Sequence, residues 1–133
     1  MKILCIDDDL EDLELISEAI KTMGPAFTCI MTSNADDGLA LLQSLHPGFV
    51  FLDINMPVID GRVILKRIRK NRAFDQIKVC ILSTSITPAE SEIYSKMGAN
   101  YCLRKPNSFD ELKTSLRLVL EGLGEKGYLS IFP

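Results

Sequence analysis

This chain has no long apolar run, no large surplus of either charge, and no concentration of glycine, proline or cysteine. No uninterrupted apolar stretch approaches the length needed to cross a bilayer. The opening Met1-Lys2-Ile3-Leu4-Cys5-Ile6 meets three aspartates too soon to be a secretory leader. Fifteen Lys and Arg against eighteen Asp and Glu leave a net charge of -3. So mild a charge gives no long-range field for holding a polyanion, which argues against nucleic acid or a membrane surface as a partner. Eight glycines and six prolines in 133 residues exclude a collagen-like repeat, and 47% hydrophobic residues exclude a disordered acidic tail or a mucin-like stalk. Cys5, Cys29, Cys80 and Cys102 each sit in an apolar stretch, form no CxxC pair and do not group with His46, the only histidine. They read as small buried hydrophobes in a reducing compartment rather than disulfides or zinc ligands. The expectation is a soluble cytoplasmic protein with a single core.

Short apolar runs alternate with longer amphipathic stretches. The runs are Ile3–Ile6, Phe27–Met31, Phe49–Leu52, Val79–Leu82 and Tyr101–Leu103, and several are apolar at consecutive positions, as strands covered on both faces must be. Between them the period becomes helical. Leu10, Leu13, Ile16, Ile20 and Met23 follow the capping residue Asp9 and stop at Gly24-Pro25. Leu39, Leu42 and Leu45 close at His46-Pro47-Gly48, while Ile64 and Ile68 anchor a third helix. Thr87-Pro88-Ala89-Glu90 and Ser108-Phe109-Asp110-Glu111 have the form of capping boxes for a fourth and a fifth. Five βα units with right-handed crossovers predict a five-stranded parallel sheet between two helix layers, an α/β domain over residues 1–121. Residues 122–133, with apolar Tyr128, Leu129, Ile131 and Phe132, form a tail too short for an output domain, and fraying is the expectation.

In an open parallel sheet, ligands bind beyond the carboxyl ends of the strands. The residues just past each run are therefore informative: Asp7-Asp8-Asp9 after the first, Asp53-Ile54-Asn55-Met56-Pro57 after the third, Ser83-Thr84-Ser85 after the fourth and Arg104-Lys105-Pro106 after the fifth. Crowded carboxylates repel and need a cation. A hard ion such as Mg2+ suits them, leaving room for phosphate oxygens. One aspartate can then act as a nucleophile toward phosphorus, with the metal and a lysine neutralising the transferring group. Asp7 to Asp9 taken alone would be only an acidic helix N-terminus, and Lys105 alone a solvated lysine; their convergence with Asp53 favours chemistry.

These residues resemble the response-regulator receiver domain of two-component signalling over residues 2 to about 121. The resemblance rests on Asp7-Asp8, Phe51-Leu52-Asp53-Ile54-Asn55-Met56-Pro57, Asp60-Gly61, Ser83 and Lys105-Pro106. It implies a flavodoxin-like (βα)5 sheet in the order 2-1-3-4-5 with helices on both faces. It further implies Asp53 as phosphoacceptor, Asp8 as a direct Mg2+ ligand, Asp7 reaching the metal through water and Asn55 offering its backbone carbonyl. Lys105 would pair with the phosphoryl group across a cis Lys105–Pro106 bond, and Ser83 would move toward the phosphate. Cys102, beside Tyr101, stands where receivers often place an aromatic that reports phosphorylation. Thr84 follows Ser83 where a smaller residue is common, and Asn55 and Ser85 occupy positions that tune dephosphorylation. Asp9 matches no catalytic position.

The expectation is a stand-alone, chemotaxis-regulator-like response regulator, monomeric or weakly dimeric and not a turnover enzyme. It would take a phosphoryl group from a sensor histidine kinase or histidine phosphotransfer protein and act on a downstream protein target. Three rival readings stand beside it. One is a degenerate receiver acting as a constitutive binding module. Another is a phosphatase of the haloacid dehalogenase type, whose motif would place an aspartate where this chain has Asn55. The third is a receiver cut from a longer hybrid kinase, against which Met1 directly preceding the first strand argues. The basic run Arg62, Lys66, Arg67, Arg69, Lys70 and Arg72 reads as a solvated helix face, and His46 as a loop residue rather than a phosphohistidine or ligand.

Overall fold

The computed structural model describes residues 1–56 and 60–122. Five strands, β1 (Lys2–Ile6), β2 (Thr28–Thr32), β3 (Phe49–Asp53), β4 (Lys78–Ser83) and β5 (Tyr101–Arg104), pair in parallel in the order β2-β1-β3-β4-β5. The helices between and after them are α1 (Leu10–Lys21), α2 (Ala35–Leu45), α3 (Gly61–Lys70), α4 (Pro88–Lys96) and α5 (Phe109–Leu120). Strand order reverses between β1 and β3, so the crevice that such a sheet offers a ligand lies at the ends of those two strands.

The consecutive apolar residues of β1, β3 and β4 are explained by two cores, one on each face of the sheet. Leu4, Ile6, Val50, Leu52, Val79 and Ile81 pack with Leu42, Ile64, Leu65, Ile68 and Tyr94 from α2, α3 and α4. Their strand neighbours Ile3, Cys5, Phe49, Phe51, Cys80 and Leu82 point the other way and pack with residues of α1 and α5 such as Leu13, Ile20, Leu116 and Val119. Each face is thus apolar because successive side chains alternate sides and both sides are covered.

Most predicted helix signals act as expected. The Asp9 carboxylate caps α1 by accepting from the Glu11 and Asp12 amides, and Thr87 and Glu90 form a reciprocal capping box on α4. Four details differ. Leu10, read as part of the buried α1 face, is the first residue of that helix and is 64% exposed. A short 3-10 turn at Arg72–Phe74, which carries no periodic pattern of its own, connects α3 to β4. Arg69 departs from the solvated face: it donates to Gly98 O (2.8 Å), Phe74 O (3.2 Å), Ile77 O (2.8 Å) and Asn100 Oδ1 (2.9 Å). These acceptors lie where α3, the 3-10 turn and the approaches to β4 and β5 converge, and guanidinium is the one side chain with enough donors in one plane to serve them together. Finally, no peptide among the described residues is cis, so Lys105–Pro106 is trans. Both isomers are open to a proline amide, and sequence pattern alone does not choose between them.

None of the four cysteines is in a disulfide; Cys5, Cys80 and Cys102 are buried and Cys29 partly so, with the Sγ atoms of Cys5 and Cys29 3.5 Å apart. Among the described residues, no helix is long and apolar enough to cross a membrane. The tail with Tyr128, Leu129, Ile131 and Phe132 lies outside the described residues, as does Pro57.

Gly61, the first residue of α3, passes directly over the end of β3. A Cβ there would overlap the Asp53 carbonyl oxygen and come within 2.8 Å of Ile54 Cα, both backbone atoms that cannot step aside. Gly61→Ala is expected to lower the urea midpoint, costing about 1–3 kcal/mol of stability as overpacking does. Substitution of the exposed Arg67 by Ala should leave the midpoint nearly unchanged.

Candidate functional site

Asp7, one residue beyond β1, and Asp53, the last residue of β3, are brought side by side by the parallel pairing of those strands, in which Ile6 lies opposite Leu52. Both are buried, at 1% and 5% exposure. Each carboxylate is pinned in the same way. Asp7 Oδ1 accepts from the Asp9 amide at 3.0 Å, and Asp53 Oδ1 accepts from the Asn55 amide at 3.1 Å. This two-residue loop-back is the local bond that a short acidic side chain makes where a strand ends. It leaves the second oxygen of each free to face the crevice.

Lys105, one residue past β5, reaches across to these second oxygens. Its Nζ lies 2.7 Å from Asp7 Oδ2, 2.8 Å from Asp12 Oδ2 and 3.8 Å from Asp53 Oδ2. The bond to Asp12 is an aligned hydrogen bond, whereas the approach to Asp7 is a charge contact that leaves the buried Asp7 Oδ2 without a hydrogen-bond partner. Asp12 lies with Glu11 in the first turn of α1, an ordinary place for an acid beside the helix dipole. Nothing in its helical spacing points to a lysine 93 positions away.

Burial dominates the ionisation of Asp53 and, with the neighbouring charge of Asp7, outweighs the Asn55 amide and Lys105, pushing its pKa up to about 7. Burial also works against the Lys105 charge. Its hydrogen bond to Asp12, its close contact with Asp7 and the charge of Asp53 prevail, holding it above the ordinary lysine value.

Carboxylate oxygens of Asp7, Asp8 and Asp53 lie within 4.8 Å of one another. Asp8 is exposed at the mouth of the crevice while the other two line its floor. A set of hard oxygen donors with an Asp7 oxygen that has no hydrogen-bond partner, and with a carboxyl on Asp53 that burial and the nearby Asp7 charge keep from ionising, fits a small divalent cation. The structure thus joins four of the expected residues, Asp7, Asp8, Asp53 and Lys105. Ser83 and Asn55 form an adjoining pair, with Asn55 Nδ2 donating to Ser83 Oγ at 2.9 Å. Ser83 Oγ in turn donates to Ser85 O at 3.1 Å and accepts from the Ser85 amide at 3.3 Å, so the hydroxyl is held by its own loop. Thr84 is exposed. Cys102 is buried in the same core cluster as Tyr94, while Tyr101 turns to the opposite face and stacks on Phe49 with ring centroids 6.0 Å apart. His46 caps α2 in a left-handed conformation (φ 45°) with its ring at the edge of Phe74, apart from the acidic cluster.

Residues 3–117 match the family described as response regulator receiver domain. Among curated proteins, Stress response regulator protein 1 of Debaryomyces hansenii is 29% identical over 119 residues, covering 88% of this chain and 49% of that protein. A probable chemotaxis protein CheY of Rhizobium etli is 27% identical over 124 residues, covering 92% of this chain and 95% of that protein. The crystal structure of the signal receiver domain of a DNA-binding response regulator from Colwellia psychrerythraea superposes with a TM-score of 0.80 at 27% identity, covering 91% of this chain and 98% of that one. The chain spans about half the length of the first curated relatives it matches.

The raised Asp53 value sets the sign of a pH dependence. Between the ordinary value of 3.8 and about 7, the native state keeps a proton that the unfolded chain sheds, so stability falls as pH rises through that window. In the presence of a chelator, Asp53→Asn is expected to melt several degrees above the unsubstituted protein at pH 8 and close to it at pH 3.5, as read by differential scanning calorimetry. Equal melting shifts at the two pH values would contradict the raised value.

Proposed function

The chain belongs to the response regulator receiver domain family, and on that premise we propose that it accepts a phosphoryl group on Asp53 and signals through altered protein binding. The observation that carries this reading is the state of Asp53: a buried carboxylate with one oxygen pinned by the Asn55 amide and the other turned toward Lys105. The free oxygen Oδ2 is the nucleophile. It forms the new O–P bond as the bond from phosphorus to the donor breaks, and the donor group leaves with the bonding electrons.

Mg2+ is the proposed cofactor, held by Asp8, Asp53 and the Asn55 backbone carbonyl, with Asp7 reaching it through water; it would neutralise charge on the transferring group. Lys105 supplies the second positive charge from the opposite side and orients the phosphoryl oxygens by donating to them. Ser83 is the proposed hydroxyl donor to the same group, and to donate it must release Ser85 O. That exchange loosens the loop leading into α4, so the face of α4 and β5 is where the binding surface would change.

A sensor histidine kinase or a histidine phosphotransfer protein is the proposed donor, a cytoplasmic protein the proposed target, and slow self-hydrolysis at Asp53 the proposed off-step. The protein would not be an enzyme that turns over a separate substrate. The haloacid dehalogenase reading is disfavoured by Asn55, whose side chain is an amide bonded to Ser83 rather than a second acid.

Intact-mass measurement after incubation with acetyl phosphate tests the proposal directly. One added phosphoryl group per chain is expected, dependent on Mg2+ and absent from Asp53→Asn. No adduct, together with no fluoroberyllate binding, would leave the constitutive binding module. Steady release of phosphate from a simple ester would instead restore the phosphatase.

A further inference from the structure

The aligned hydrogen bond of Lys105 goes to a residue that the phosphoacceptor reading does not use. Lys105 Nζ donates to Asp12 Oδ2 at 2.8 Å, touches Asp7 Oδ2 by charge alone at 2.7 Å and stays 3.8 Å from Asp53 Oδ2, beyond hydrogen-bond reach. Asp12 belongs to α1, and the Asp9 cap fixes the first turn of that helix against the sheet edge by accepting from the Glu11 and Asp12 amides. The ammonium side chain is mostly covered, at 14% exposure, and the Asp12 side chain is 30% exposed, so the pair sits at the crevice wall rather than free in solvent. Pro106, Leu112, Leu15 and Ile16 line the same recess and shield the lysine stem.

We propose that Asp12 is a positioning residue that holds Lys105 in a resting place on α1, from which a phosphoryl group on Asp53 must draw it. The inference rests on the phosphoacceptor reading of Asp53. An ammonium has three donors. Donors are not short, so the constraint is position: to close on a phosphoryl group at Asp53, whose Oδ2 now lies 3.8 Å away, Nζ must move off the 2.8 Å bond that anchors it to Asp12. The new dianionic group outbids a single carboxylate, and Asp12 is then left to water. Asp12 thereby opposes the modified state, and its loss should favour that state rather than weaken it. A merely structural Asp12 would have the reverse effect, because removing it would loosen Lys105.

Fluoroberyllate in the presence of Mg2+ serves as the phosphoryl mimic, measured on the full chain by calorimetry. Asp12→Ala is expected to bind it about fivefold more tightly than the unsubstituted protein, the worth of one competing hydrogen bond to a partner as exposed as Asp12. Glu11→Gln, which removes the same charge from the same helical turn at an exposed position, should change affinity by much less. The second readout is the carboxyl 13C resonance of Asp12 in the unsubstituted protein. It should move toward the value of a solvated aspartate when fluoroberyllate binds. Weaker or unchanged binding by Asp12→Ala, or an Asp12 resonance that stays in place, overturns the proposal. If the unsubstituted protein binds no fluoroberyllate, the phosphoacceptor reading falls and the proposal with it. Failure confined to the Asp12 variant leaves that reading intact.

Discussion

Everything at the carboxyl edge of this sheet turns on one charge problem, the placing of several acids around a single ammonium. Asp7 and Asp53 are packed together because β1 and β3 are neighbours, and both are too deeply buried for water to screen their repulsion. Lys105 relieves part of it and is itself kept charged by it. Burial, with the charge of Asp7 added to it, still leaves Asp53 reluctant to ionise. A site left short of positive charge attracts a cation and then tolerates the arrival of more negative charge, which is what phosphoryl chemistry needs.

Backbone, more than side-chain packing, gives this edge its precision. The Asp9 and Asn55 amides fix the two buried carboxylates, and the Lys105 amide donates to Ser83 O at 2.7 Å, tying the β5 exit to that of β4. Gly61 lets the start of α3 lie on the peptide of Asp53 itself. The ends of all the central strands are therefore held relative to one another before any ligand arrives, the preorganisation on which electrostatic catalysis depends.

The sheet and its covering layers were legible because a two-faced parallel strand must be apolar at consecutive positions, and Phe49 to Leu52 and Val79 to Leu82 are. The cluster of Asp7, Asp8, Asp53 and Lys105 was legible because it follows from where such strands end. Asp12 was not, since its partner is fixed by the rotation of α1 about its axis and by the reach of a lysine, neither of which a helical repeat encodes. Arg69 was hidden for a related reason: its neighbours in sequence are solvated cations, and only the assembled loops around Phe74, Ile77 and Gly98 present the carbonyls that draw it inward. The trans bond before Pro106 also lay beyond any pattern.

The bond between Asp12 and Lys105 joins residues 93 positions apart, and this separation bears on how the molecule comes into being. A chain emerging from the ribosome can pair its first and third strands, and so gather its acids, well before the fifth strand exists. Contacts of such long sequence separation are the slow, late ones in folding. For that interval the nascent domain holds a knot of anionic groups with no built-in counter-ion, drawing on dissolved cations until its last strand slides into place. The charge balance of the finished domain is thus also a marker of completion, reached only when Lys105 has met the acids of the earlier strands.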